Sequence, residues 1–231
     1  MAEAAFDARG EAKRLMRIAR TAALATLDRA SGAPLATLVA VASDCDGAPL
    51  LLLSSLAAHT KNLAVKPIAS LLLTSSGGRG DPLNRPRLTL GGPLAPHHDA
   101  RAFARYVARN PKSKLYASFG DFRLFRMTIE AVHFNGGFAR AAPLTPADIL
   151  ADLAGAEALI ANETALIEEA NARGATALAR LAGAKAAWRA IGLDPEGLDL
   201  AAGARAARAS FAAPARDPLS WRAALARLLR D

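Results

Sequence analysis

The chain lacks the residues on which several functions depend. It has a single cysteine, Cys45, so no internal disulfide and no cysteine-rich metal site can form. Cys45 is expected to be a small residue at a strand end. Aromatic side chains make up 5% of the chain. The core must therefore be packed with small aliphatic groups, and a row of stacking platforms for single-stranded bases is not available. No apolar run approaches the roughly 18 residues that a membrane-spanning helix needs. The opening "MAEAAFDARGEAKRLMRIAR" carries acidic residues and no apolar stretch of signal-peptide length. A cytoplasmic protein without a membrane partner is expected. The four histidines are His59, His97, His98 and His133. None forms an i, i+4 pair or an H-E-x-x-H pattern, so no metal site is expected. His97 and His98 are expected to cap a helix and His133 to be structural. There is no G-x-S-x-G elbow and no glycine-rich nucleotide fingerprint, which excludes α/β-hydrolase, Rossmann and P-loop chemistry.

What is present is aliphatic and basic. Apolar residues are 52% of the 231, and the net charge is +8. Wholesale disorder is excluded. The arginines are spread through alanine-rich segments such as "ARAFARYVARN", as on solvated faces that use the long arginine stem. Charge alone licenses only non-specific nucleic-acid affinity, so no nucleic-acid partner is expected.

Along the chain, a helix is expected from about Glu3 to Arg20. Apolar runs Ala22–Leu27, Leu35–Ala42 and Leu50–Ser54 follow, separated by "RASGAP" and "SDCDGAP". Both links are hairpin punctuation, so a three-strand meander is expected. Further strands are read in "IASLLLTSS", "RLTLGGPLA" and the long "FRLFRMTIEAVHFNGGF", with a loop at "GGRGDPLNRP" and a helix at "PHHDARAFARYVARNPK". The total is six strands with short helices, the proportions of a small barrel. At Thr145-Pro146 the texture turns helical up to about Leu181. Strand-like pieces around Asp194-Pro195-Glu196-Gly197 and a closing helix, "SWRAALARLLRD", complete the chain. The fold class is α+β: residues 1–143 as a barrel and 144–231 as a small α+β domain.

The most informative stretch is "SSLAAHTKNL". Ser54 and Ser55 end an apolar strand, and His59, Thr60, Lys61 and Asn62 open a brief helix, about Lys61 to Val65. A helix start offers free N–H groups and partial positive charge. Lys61 adds a point charge and the hydroxyls add donors. Either this is a capped strand-to-helix link or it grips an anion. Arg85 and Arg87 in "NRPRLTLGG" could reach an anion or simply mark a charged strand entry. In "HFNGGFARAAPL", Gly136-Gly137 could admit a flat ligand to the backbone or simply bend the chain.

In order, "SSLAAHTKNLAVKPIASLLL", "DPLNRPRLTLGG", "FGDFRLFRMTIEAVHFNGGFARA" and "WRAIGLDPEGLDL" resemble the segments of one family. It is that of the pyridoxamine 5'-phosphate oxidase-like FMN-binding split barrels, in particular the haem-utilisation subgroup with its C-terminal α+β domain. The resemblance implies a six-stranded antiparallel FMN-binding split barrel and a homodimer with FMN in clefts between subunits. By matching position, Ser54, Ser55, Thr60, Lys61 and Asn62 would contact the phosphate, with His59 adjacent. The backbone of Leu38 to Ala40 would run along the flavin ring, and Arg87 would be a second basic contact. The function implied is a flavoprotein oxidoreductase acting on a small-molecule substrate and tied to haem or iron use. The alternative is a flavin- or tetrapyrrole-binding protein without turnover. The sequence departs from the subgroup's C-terminal "H-M-N-x-D-H": the stretch here is "EEANARGATAL", with only Asn171 kept. No imidazole is present there to hold haem iron, so FMN is the expected cofactor. Haem would be left to His97, His98 or His133.

Overall fold

Hairpin chemistry shapes the first third of the chain. The computed structural model describes residues 6–74, 81–138 and 140–230. Helix α1 (Ala8–Ile18) is capped by the Asp7 carboxylate, which accepts from Gly10 N, and it buries Ala12, Leu15 and Met16. Strands β1 (Thr21–Leu27) and β2 (Pro34–Ala40) pair antiparallel from Thr21↔Ala40 to Leu27↔Pro34. In the turn between them the Asp28 carboxylate accepts from the Ala30 and Ser31 amides, and Gly32 takes φ +71°. After β3 (Ala42–Ser43) and β4 (Pro49–Ser54) come α2 (Ala58–Val65), β5 (Ile68–Thr74), β6 (Arg87–Pro96) and α3 (Ala100–Arg109). Strands β7 (Phe122–Met127), β8 (Ala131–Asn135) and β9 (Ala141–Ala142), then α4 (Pro146–Ile149), complete this part.

The strands form one antiparallel sheet in the order β2-β1-β5-β6-β7-β4-β3, with β8 on β6 and β9 on β8. The two ends of that path, β2 and β3, are separated in the chain by Val41 alone. The sheet must therefore curl round on itself, into the half-barrel of a split barrel. Period-two alternation gives it two faces. Leu24, Leu71, Leu73, Leu88 and Leu90 are fully buried inside, while Leu38, Leu72 and His133 point out.

Among the described residues the sheet has nine strands, two of them of two residues, rather than the six expected. The single long strand expected over "FRLFRMTIEAVHFN" is two strands. β7 pairs with Leu94–Pro96, and β8 pairs with Arg87–Gly91. The break follows from β6, where Gly92 takes φ +151° and the backbone of Thr128 lies so close that a Cβ would sit 2.0 Å from its carbonyl oxygen. The three-strand meander is also modified. β2 does not pair with β4; only the short β3 does, while β4 pairs along its length with β7.

The chain divides into two compact units: residues 1–43 with 47–150, and residues 44–46 with 151–231. The first runs on past Pro143 through Leu150. In the second, helices α5 (Glu157–Ala161), α6 (Glu163–Ala172) and α7 (Ala175–Leu181) are followed by β10 (Arg189–Asp194), β11 (Gly197–Ala202), β12 (Arg205–Ser210) and α8 (Pro218–Leu228). The continuous helical run expected up to Leu181 is thus interrupted: Gly155 and Gly174 take positive φ, and Asn162 separates α5 from α6. The three strands form a meander around Trp188, Leu198, Leu200 and Trp221. Arg208 lies buried between Asp194 and Asp199, at 2.7 and 2.9 Å. Burial disfavours its charge, but the two carboxylates outweigh that and raise its pKa. No described helix is long and apolar enough to cross a membrane.

Candidate functional site

Strand β4 carries the buried Leu50–Leu53 and delivers its last residue, Ser54, to a tight turn. The Ser54 hydroxyl donates to the Asp121 carboxylate at 2.5 Å and accepts from Leu56 N at 3.1 Å. The Ser55 amide donates to the Asp121 carbonyl at 2.8 Å. Ala57 then enters α2 in an extended conformation, and no side chain caps the helix. Its first amides thus have no intrahelical partner. Helix α2 starts at Ala58, a turn earlier than expected.

This start opens on a cavity of about 330 Å³. Ser55, Thr60 and Lys61 line it, together with Asp121 and Arg123 from the segment entering β7. Leu53, Leu63, Leu94 and Phe125 form its apolar wall. The Thr60 hydroxyl is shielded from solvent and has no hydrogen-bond partner. Burying an unpaired hydroxyl is costly, of order 1–3 kcal/mol. A ligand with strong acceptor oxygens would satisfy it, so the donors present fit a phosphate end such as that of FMN.

Three of the expected residues therefore line this one cavity. Ser54 lies behind, holding Asp121. Asn62 turns the other way. Its amide donates to Thr26 Oγ1 at 3.1 Å and accepts from Arg29 N at 3.0 Å, so it pins the β1–β2 turn. His59 also faces β2, with Nδ1 3.1 Å from Thr37 Oγ1, and burial lowers its pKa. Arg87 starts β6, whereas the cavity touches Leu94, Ala95 and Pro96 at its far end, roughly 20 Å or more along the strand. Its guanidinium donates to the Leu83 carbonyl at 2.6 Å. At Gly137, φ is +115° and a Cβ would sit 2.6 Å from the Asn84 carbonyl oxygen, so this glycine serves a backbone crossing within the chain. Asn171, kept from the family's C-terminal motif, binds both backbone groups of Ala190.

Sequence reasoning missed Arg123 and Asp121. Arg123 sits opposite Leu53 in the β4–β7 ladder. The signal would have been that long-range pairing, which nothing local announces. Arg123 also lines a second recess, of about 350 Å³, with His97, His98, Phe103, Phe122 and Leu124. His97 and His98 do not cap α3; the Asp99 carboxylate does, accepting from Ala102 N at 2.8 Å. Among the described residues no group of three or more potential metal ligands occurs.

Comparison with known proteins agrees with this architecture. The CREG beta-barrel family matches residues 4–150. A crystal structure of a protein of unknown function from Agrobacterium tumefaciens is 39% identical, with a TM-score of 0.86, over 97% of this chain and 96% of that one. The structure of a heme binding protein from Mycobacterium smegmatis is 25% identical, with a TM-score of 0.59, over 99% and 98% of the two chains. The chloroplastic non-canonical heme oxygenase HOZ of Arabidopsis thaliana is 36% identical over 115 residues, 48% of this chain. The match spans about a third, 34%, of HOZ. A half-barrel sheet curled between β2 and β3, and a family match that covers the whole of it, lead to one conclusion: the chain belongs to the CREG beta-barrel family, and its relatives include haem-related proteins.

Proposed function

We propose that the protein is a homodimeric FMN-binding member of the split-barrel class, an oxidoreductase of the pyridoxamine 5'-phosphate oxidase-like type linked to haem or iron use. The observation that carries this reading is the unpartnered Thr60 hydroxyl in a cavity that Ser55, Lys61 and Arg123 also line. Ser55 and Thr60 would donate to phosphate oxygens, and Lys61 and Arg123 would balance the charge. Asp121 also lines the cavity, and its carboxylate, held by the Ser54 hydroxyl, would have to be outweighed by Lys61 and Arg123. Bound flavin would supply the redox chemistry, and the chain would supply position and electrostatics.

The outer face of the sheet supports a second copy as partner. Across it run Leu38, Ala23, Leu72, Thr89 and His133 in register, without a formal charge. Leu38 is 78% exposed and Leu72 38%. A register row without formal charge across five strands suits an isologous contact. It would also carry the Leu38–Ala40 backbone, and Arg87 from a partner, toward a shared flavin. A second reading, flavin or tetrapyrrole binding without turnover, draws on the relative from Mycobacterium smegmatis that is named a heme binding protein.

The test is an FMN titration of the wild type and Lys61→Ala, followed by flavin fluorescence. Loss of one charge-assisted contact should weaken binding by about 1–3 kcal/mol. Unchanged affinity would mean that the phosphate lies elsewhere.

A further inference from the structure

We propose that Asp121 makes the cavity at the start of α2 selective for the phosphate ester of a polyol, one that carries hydroxyls close to its phosphate. The inference rests on the phosphate site proposed above and adds which phosphates that site accepts.

One group in the lining is out of place for an anion. Ser55, Thr60, Lys61 and Arg123 favour a phosphate, yet Asp121 lines the same cavity. Its carboxylate makes no ion pair among the described residues. A like charge beside a phosphate weakens binding unless the ligand gives something back. Nor is the carboxylate free to swing away. It accepts from the Ser54 hydroxyl at 2.5 Å through Oδ2, and that hydroxyl is itself oriented by Leu56 N at 3.1 Å. The Asp121 carbonyl accepts from Ser55 N at 2.8 Å, so the same residue also carries the turn. The other carboxylate oxygen, Oδ1, has no hydrogen-bond partner among the described residues and stays open to solvent.

An ionised carboxylate oxygen accepts and never donates, so it calls for a hydroxyl or an ammonium on the ligand. Lys61 and Arg123 in the same lining repel an ammonium. A hydroxyl is neutral and suits both the cations and the carboxylate. The ligand then needs acceptor oxygens at one end, for Ser55, Thr60 and Lys61, and a donor close behind them, for Asp121. A polyol phosphate has both, and an alkyl phosphate has only the first. Leu53, Leu63, Leu94 and Phe125 offer apolar wall to the carbon chain. At about 330 Å³ the cavity lies at the small end of ligand pockets, which suits a phosphate and its adjoining chain. The ribityl phosphate of FMN meets this description, and so does a free sugar phosphate.

The experiment is calorimetric titration of the wild type and Asp121→Ala with ribitol 5-phosphate and with pentyl phosphate, which has the same five carbons and no hydroxyl. It is run at about pH 8, above the second phosphate pKa of about 6, so that both esters carry the same charge. The wild type should bind ribitol 5-phosphate tighter by about tenfold. Asp121→Ala should bind ribitol 5-phosphate more weakly and pentyl phosphate more tightly. A merely structural role would weaken both. Loss of both esters in Asp121→Ala, equal affinities in the wild type, or no binding of either would overturn the proposal. If Asp121→Ala does not fold, Asp121→Asn, whose amide oxygen can keep the Ser54 contact, should show the same gain for pentyl phosphate. FMN titration of the same proteins separates the two readings. FMN bound equally by the wild type and Asp121→Ala would keep the flavin reading and overturn the role of Asp121. Discrimination between the two esters without FMN binding would keep that role and make the ligand a free polyol or sugar phosphate.

Discussion

His59 shows how burial and proximity set the behaviour of one residue. Its ring is half-buried against Thr37, and burial disfavours the charged form, so its pKa lies below the ordinary imidazole value of about 6.5. The unfolded chain then takes up the proton first as pH falls. The stability that His59 contributes is complete above about pH 6.5 and is lost as pH falls toward the folded value. Urea midpoints at pH 7.5 and 5.5 should differ less in His59→Gln than in the wild type. An equal difference would show that His59 titrates as if exposed. Asn62, three residues on, carries the opposite lesson about legibility. Its amide looks like a ligand donor in the sequence, yet it binds Thr26 and Arg29, partners supplied by the β1–β2 turn. Ser55, Thr60 and Lys61 could be read locally because the helix start itself turns them toward one cavity. Asn62 could not, because its direction is decided by a strand some thirty residues earlier.

At the scale of elements, the half-barrel depends on how β6 serves three neighbours. Its ten residues pair with β5, with β8 near the start and with β7 near the end. The change of partner occurs at Gly92. Alanine there would meet the Thr128 carbonyl and adopt a φ that favours glycine. Gly92→Ala should destabilise the protein by more than about 1–3 kcal/mol, the range for one strained backbone residue. A urea denaturation curve matching the wild type would show that β7 and β8 can separate without this close approach. The β1–β2 hairpin was legible because Asp28 and Gly32 are local turn chemistry. Helix α3 was legible in extent but not in its cap, which Asp99 provides in place of the expected His97 and His98. The β7–β8 break was not, since the residues of "FRLFRMTIEAVHFN" suit a strand throughout and the reason for stopping lies in β6. Arg123 escaped for a related reason: its neighbour across the ladder, Leu53, is remote in the chain.

For the whole molecule, the proposed assembly rests on the outer sheet face. Single exposed leucines need no explanation, but a register row without charge across five strands does. If this face meets a second copy, Leu72→Arg places two like charges in an apolar contact and should yield a monomer by sedimentation velocity. A variant that still sediments as a dimer would move the contact to another face. The split-barrel fold and the α+β class were readable from ordered motifs, most of which the half-barrel keeps in one unit, from the polar block through "GGFARA"; the family that matches is the CREG beta-barrel rather than the FMN subgroup that the motifs resemble.

The most direct test of the account compares FMN with riboflavin, which lacks the phosphate, in one fluorescence titration of the purified protein. If the cavity at the start of α2 grips a phosphate through Thr60, Lys61 and Arg123, FMN should bind tighter by about tenfold or more, the equivalent of about 1.4 kcal/mol or more. Equal affinities, or no binding of either, would contradict the phosphate site.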